Sequence, residues 1–308
     1  MIGAWLAIAP TFALIVLGYV LRRGGIPSFE FWNLNDRLVY WVLMPALFFA
    51  KISSADLGAA PLGGFAGILY AGFFAAVGFG WLAQHLAGYA PAQGTDVVQG
   101  VGRFNTFVGL AIAEAMFGAQ GLQTAVLGSA LLVPVVNVVM VSMLAMMLGT
   151  HGGSRLGGTL RELIRNPLIL SILAGVAFNL MGLGHVPVLH ETALVLGQGA
   201  LPVMLLCVGA NLRLDGLRAS MGPVILAGVG KLVVFPLVVA VAIWLIGPPL
   251  IVAQVAMIYA ALPVAVAAYS LARQMGADAP LMAAIITAQT IVAFVSIPLT
   301  LSLISWLY

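Results

Sequence analysis

Two stretches carry most of the chemistry that this oily chain offers: Arg103-Phe104-Asn105-Thr106 followed by Gly109, and Tyr259-Ala260-Ala261-Leu262-Pro263. Pro263 has no N–H to donate and clashes with the preceding turn, so a helix running through it breaks or kinks. The carbonyl near Tyr259 then lacks its usual partner. At membrane depth such a group survives only against protein or a water-filled cavity. In the first stretch Gly109 supplies flexibility, and the Asn105 and Thr106 side chains can bond freed backbone groups. If both helices break, the second half of each starts near the centre of the protein. Helix N-termini carry partial positive charge and free N–H groups, which suits a carboxylate. Asn105, Thr106, Gly109, Pro263 and Tyr259 are therefore the first candidates for binding an anion.

Ionisable and amide groups extend this set. Lys231 sits about nine residues into an apolar run, too deep for easy snorkelling; it reads as a counter-charge for an anion or as a partner of helix-end carbonyls. Arg103 reads as snorkelling to an interface or as a substrate contact. Glu114, near the far end of the same run, reads as a proton carrier or as an interfacial group. Asn137, after Pro134, can meet a carboxylate or bond a neighbouring helix. Gln289 and Asn211 are weaker candidates. Asp36, Asp96 and Asp278 lie beside run ends, where acidic side chains cap helices or face water. His85, His151, His185 and His190 fall at run ends and loops, mostly solvated, so no metal site is expected. No phosphate-binding loop is present, and no cofactor is expected.

The elements that must position these residues are set by composition. Of 308 residues, 63% are hydrophobic and 7% charged, against about 45–50% and 25% in soluble domains. Such a chain cannot cover itself with charge, so lipid is its outer solvent. The net charge of +3 is scattered, with no basic run to suggest nucleic acid. The single cysteine, Cys207, rules out an internal disulfide. A helix needs about 20 apolar residues to cross the bilayer. Gly, Pro and charge clusters mark spans at 4–21, 35–53, 62–86, 97–117, 122–148, 167–184, 190–211, 222–246, 250–272 and 281–307.

A polar, basic segment, 150–166, divides a first half (1–149) from a second (167–308). Arg22, Arg23, Arg37, Arg155, Arg161, Arg165, Arg213, Arg218 and Arg273 fall on one side of the membrane and essentially Lys51 alone on the other. The excess marks the cytoplasmic side. Both termini are then expected outside, with the first span retained. Five spans per half make any similarity between halves an inverted repeat. Such similarity exists: Gly276 follows Gly118 by 158 positions, Pro263 follows Asn105 by 158, and Leu201-Pro202-Val203-Met204 follows Met44-Pro45-Ala46-Leu47 by 157. The fold expected is an all-α integral membrane protein of about ten transmembrane helices in two inverted five-helix repeats. Inverted repeats with broken helices recur in secondary transporters, with substrate held at the repeat interface.

Several motifs, in order along nearly the whole chain, resemble the auxin efflux carrier family and its bacterial members. They are Gly18-Tyr19-Val20-Leu21-Arg22-Arg23-Gly24, Leu43-Met44-Pro45-Ala46-Leu47-Phe48-Phe49, Asn105-Thr106-Phe107-Val108-Gly109-Leu110, Arg165-Asn166-Pro167-Leu168, Gly209-Ala210-Asn211-Leu212 and Ala261-Leu262-Pro263-Val264-Ala265. The resemblance implies a fold distantly similar to bile acid–sodium symporters, with a scaffold (spans 1, 2, 6 and 7) and a mobile transport unit (spans 3–5 and 8–10). It further implies that broken helices four and nine cross at the substrate site, and that the protein is a homodimer. Many members have a proline in the fourth span where this chain has Ala111, which leaves that break to Gly109 and the Asn105–Thr106 side chains.

The function expected is a potential-driven or secondary active carrier of small organic anions, working by alternating access as an exporter in a bacterial inner membrane. The alternative is a proton- or sodium-coupled symporter that imports organic acids; few deep acidic residues favour sodium. An intramembrane enzyme would need paired aspartates, a metal-binding histidine set or a Ser/His arrangement, and none is seen. A sensor would need a signalling domain.

Overall fold

The computed structural model describes residues 2–55, 57, 62–149, 166–213 and 221–307. The dividing segment 150–165, with Arg155, Arg161, Arg165 and His151, lies outside the described residues, as does Arg218.

Described residues form ten helical segments and no strand. They are α1 (Ile2–Arg23), α2 (29–53), α3 (Leu62–Leu86), α4 in two pieces (α4a, Pro91–Gly102, and α4b, 106–117), α5 (119–147), α6 (Pro167–Leu180), α7 (Leu189–Ala210), α8 (221–246), α9 in two pieces (α9a, Leu250–Ala261, and α9b, Ala267–Met275) and α10 (Ala279–Leu307). Six helical stretches among the described residues are long and apolar enough to cross a bilayer, one of them the whole run Pro91–Met147. That run is far too long for one crossing of about 30 Å at about 1.5 Å per residue. It is divided at residues 103–105, and again at Gly118, whose φ of 61° is open only to glycine without strain. There the chain folds back so tightly that a Cβ on Gly121 would lie 2.3 Å from the Ala113 carbonyl oxygen.

Two boundaries differ from the sequence expectation by six residues. α2 begins at Phe29 rather than 35, because Ser28 Oγ accepts the Phe31 N–H and caps the helix. α4 begins at Pro91 rather than 97, with proline in the first turn, where its missing N–H costs nothing. Both α2 and α8 widen into a π-helical turn, Val39–Leu43 and Gly230–Val234, just before Pro45 and Pro236. A wide turn is one way for a helix to carry a proline without breaking.

Small residues set the packing, as expected where lipid removes the hydrophobic drive between helices. α1 and α7 touch backbone to backbone: a Cβ on Gly18 would sit 2.0 Å from the Leu206 oxygen, and one on Gly209 1.7 Å from the Ile15 oxygen. Gly175 of α6 rests on Ile52 of α2, Gly197 of α7 on Leu47 of α2, and Asn179 Nδ2 donates to the Ser53 carbonyl at 2.9 Å. So α1, α2, α6 and α7 make one packed group. In a second group Gly72 of α3 lies against Phe235 and Val239 of α8, Gly128 of α5 against Phe65 and Tyr259, and Gly100 of α4a against Ala227 and Ile285.

Candidate functional site

In the second group both α4 and α9 are interrupted, and the interruptions meet. α4a ends at Gly102; Arg103 is extended (φ −78°, ψ 148°), and α4b restarts at Thr106. α9a ends at Ala261; Leu262 is extended (φ −63°, ψ 143°), and α9b restarts at Ala267. The Asn105 N–H donates to the Pro263 carbonyl at 2.8 Å, so the two residues related by the 158-residue offset are bonded to each other. Gln289 of α10 ties both breaks: its Oε1 accepts the Val264 N–H at 2.9 Å, and its Nε2 donates to the Gly100 carbonyl at 2.9 Å. Asn105 Oδ1 accepts the Val108 N–H at 3.3 Å and caps α4b. Asn105 is 1% exposed, and its Nδ2 has no partner among the described residues.

A cavity of about 640 Å³ opens at this crossing, between the two helix groups. Phe104, Asn105, Thr106 and Phe107 line it from the start of α4b, and Ala265, Val266 and Ala267 from the start of α9b. Both half-helix N-termini therefore face it, each with first-turn N–H groups that no earlier turn can satisfy. Five arginines line the remainder: Arg22, Arg37, Arg103, Arg213 and Arg273. Asp36 is the one carboxylate among its lining residues, and its Oδ2 accepts from Asn211 Nδ2 at 2.9 Å. Arg103 Nη2 donates to Asn137 Oδ1 at 3.3 Å, which sets both side chains on the wall beside Asn105. Arg213 lies over the Tyr269 ring at 4.7 Å. Arg22 Nη1 is buried with no hydrogen-bond partner among the described residues. Positive charge thus greatly exceeds negative in a half-open, partly desolvated cleft, where electrostatic interactions exceed those in water.

Of the residues singled out from sequence, Arg103, Asn105, Thr106 and Asn137 come together on this wall. The others stand elsewhere. Pro263 contributes its carbonyl to the crossing. Tyr259 is fully buried and donates its hydroxyl hydrogen to the Ala125 carbonyl at 2.6 Å, with Ser129 Oγ in close contact. Lys231 is fully buried in the π turn of α8, 5.6 Å from the Phe104 ring and 4.4 Å from the Phe235 ring, and does not line the cavity. Phe104 stands between the two. Glu114 is exposed on α4b, away from the cavity.

Four sequence expectations need correction. Gly109 does not make the break in α4: it lies one turn inside α4b, and its missing Cβ lets Leu262 come close (a Cβ would be 2.7 Å from Leu262 Cδ1). Asp96 neither caps a helix nor faces water; because α4a starts at Pro91, Asp96 sits within it at 0% exposure. Asp36 also lies inside a helix and bonds to Asn211 across the group. His190 is buried rather than solvated, with the His185 ring 4.6 Å away. Asp278 behaves as expected and caps α10 through the Leu281 N–H. From sequence alone the cavity's other arginines serve only as markers of the cytoplasmic side. Their spacing carries no sign that they turn inward.

Buried half-helices meeting beneath a charged cavity, inside a bundle with apolar outer faces, suit a polytopic membrane transport protein. The chain belongs to the membrane transport protein family, that of the auxin efflux carriers, whose family model matches residues 4–301. It is also similar to an uncharacterized transporter of Methanothermobacter thermautotrophicus, 25% identical over 308 residues, which cover 96% of this chain and 97% of that protein.

Proposed function

We propose that this transporter carries small organic anions, carboxylates above all, by alternating access. The observation that carries the reading is the cavity lining: five arginines, one carboxylate and two half-helix N-termini converging on Arg103, Asn105, Thr106 and Asn137. Asn105 divides its labour, with Oδ1 holding the cap and Nδ2 left to donate to a bound carboxylate. α1, α2, α6 and α7 would be the scaffold, and the crossing group would move past it. The backbone contacts between α1 and α7 support the scaffold's rigidity.

An inverted repeat is supported by glycines with positive φ. Gly25 and Gly182, Gly88 and Gly247, and Gly118 and Gly276 stand 157, 159 and 158 positions apart and end corresponding helices. Ten crossings then follow, with both termini outside and the arginine-lined mouth toward the cytoplasm of a bacterial inner membrane. Export of an anion from a negative interior is downhill by about 2.3 kcal/mol per charge at about 100 mV, so an exporter needs no coupling ion. Proton-coupled import is the second reading, and the burial of Asp96 favours it.

Flux of carboxylates through the purified protein in proteoliposomes tests the reading. Arg103→Ala removes a charge-assisted contact, and loss of transport by roughly tenfold or more is expected. If no mono- or dicarboxylate moves, or if Arg103→Ala moves them as the wild type does, the site is wrong.

A further inference from the structure

The cavity does not use the most anomalous polar pair in the molecule. Asp96 and Gln99 lie one turn apart on α4a, both at 0% exposure. Neither oxygen of Asp96 and neither polar atom of Gln99 has a hydrogen-bond partner among the described residues. An ionised carboxylate in that setting carries a desolvation cost of several kcal/mol that no side chain among the described residues offsets.

The ionisable groups on the elements packed around α4a are few. They are Tyr70 on α3, whose hydroxyl donates to the Leu131 carbonyl at 2.9 Å, His85 at the end of α3 and Tyr89 just beyond it, Lys231 on α8, Glu114 on α4b, Tyr269 and Arg273 on α9b, and Asp278 at the head of α10. Lys231 is taken up between Phe104 and Phe235, Tyr269 and Arg273 line the cavity, and Glu114 is exposed. Asp278 meets Asp96 with a charge of the same sign and with its backbone N–H, the weaker of the two influences. Among the described residues no cation therefore offsets a charge on Asp96. Nor do three or more His, Cys, Asp or Glu residues cluster to hold a metal ion anywhere among the described residues. A proton needs only the one carboxyl and an amide to bond it.

We infer that Asp96 and Gln99 form a proton-binding site, separate from the anion cavity and carried by α4a, the half-helix that runs up to Arg103 on the cavity wall. Asp96, Gln99 and Arg103 recur at the spacing of one helical face, with Arg103 about 10 Å further along the axis. A proton on Asp96 removes a negative charge that would otherwise oppose an anion at Arg103, so proton and anion bind together and travel together. This rests on the carrier reading above and turns it from free export toward proton symport. It assigns the coupling to Asp96 and not to Glu114.

Two measurements on the full-length protein test it. The first does not require transport. A hydrophobic carbodiimide reacts with protonated carboxyls in apolar surroundings, and the adduct is located by peptide mass spectrometry. Labelling of Asp96 should be strong in mildly acid buffer, fade in alkali and be indifferent to sodium. The second is carboxylate accumulation in proteoliposomes under an imposed pH step. One coupled proton makes accumulation change about tenfold per pH unit. Asp96→Asn should abolish that response and Asp96→Glu should keep it, which also covers the case in which the asparagine variant folds poorly.

Absence of the adduct overturns the site, as does protection by sodium or a gradient response that survives in Asp96→Asn. Should the wild type move no carboxylate at all, the carrier reading fails, while the labelling still decides whether Asp96 binds a proton.

Discussion

The two breaks at the crossing do the same job by different means. In α4 the chain leaves the helix for three residues, Arg103 to Asn105, and restarts on a side-chain cap. In α9 it leaves for five, Leu262 to Val266, with a proline that cannot donate and no side-chain cap at the restart. The α4 break is short and polar; it shares the Gln289 and Pro263 tethers but supplies its own cap, and it exposes Arg103, Asn105 and Thr106 to the cavity. The α9 break relies on its neighbours: Gln289 holds the Val264 N–H, and the Pro263 carbonyl depends on Asn105. One break therefore presents chemistry, while the other presents backbone held in place from outside.

That contrast is broken most directly at Gln289. Gln289→Leu keeps the volume but leaves the Val264 N–H and the Gly100 carbonyl buried and unpaired. At about 1–3 kcal/mol for each orphaned group, a loss of about 2–6 kcal/mol in stability is expected. Thermal unfolding in detergent would show it as the largest fall among crossing variants. An unchanged midpoint would mean that α9 holds its break without help.

Asn105 comes next, and two substitutions separate its roles. Asn105→Ala removes the cap and should cost about 1 kcal/mol. Asn105→Asp keeps an acceptor for the Val108 N–H but replaces the Nδ2 donor with negative charge. It should melt near the wild type while anion flux falls steeply. If both variants lose stability and flux in the same proportion, Asn105 is only a cap.

Pro263→Ala should do less than either. The new residue gains an N–H and some helix propensity, yet Gln289 and Asn105 still hold the flanking groups. The expected loss is about 0.4–1 kcal/mol, mainly from the freer unfolded chain, measured by the same melting curves. A larger loss would put the proline, rather than the tether, at the centre of the α9 break.

These expectations also show what the sequence makes legible. Pro263 in an apolar run announces its break because proline acts locally. Asn105 and Thr106 announce the other because capping residues do too. Gln289 stays silent, since its role depends on α10 passing both breaks, a tertiary fact with no local signal. Residues 91–96 read as a loop by composition, with Gln93, Thr95 and Asp96 among them. Surrounding helices bury Asp96 all the same. The cavity arginines are visible as charge at one membrane face, but whether a side chain turns to lipid headgroups or into a cleft is decided by packing. The spans survive this reading best, because hydropathy over some twenty residues averages out local exceptions.

A modest effect on stability is expected where the two breaks touch. Gly109 of α4b faces Leu262 of α9, and a methyl there would lie 2.7 Å from Leu262 Cδ1. The obstructing atom is the end of a flexible side chain rather than backbone, so Leu262 can yield by turning its branch. Alanine also favours a helix over glycine by about 1 kcal/mol, which offsets part of a packing penalty of about 1–3 kcal/mol. Gly109→Ala should therefore melt within about 1–2 kcal/mol of the wild type. Leu262 is fully buried, however, and its backbone is the first extended residue of the α9 break. Any shift it makes is passed to Pro263, whose carbonyl holds Asn105. Flux should fall by more than stability does. A variant that melts and transports as the wild type does would show that the two breaks move independently at this contact.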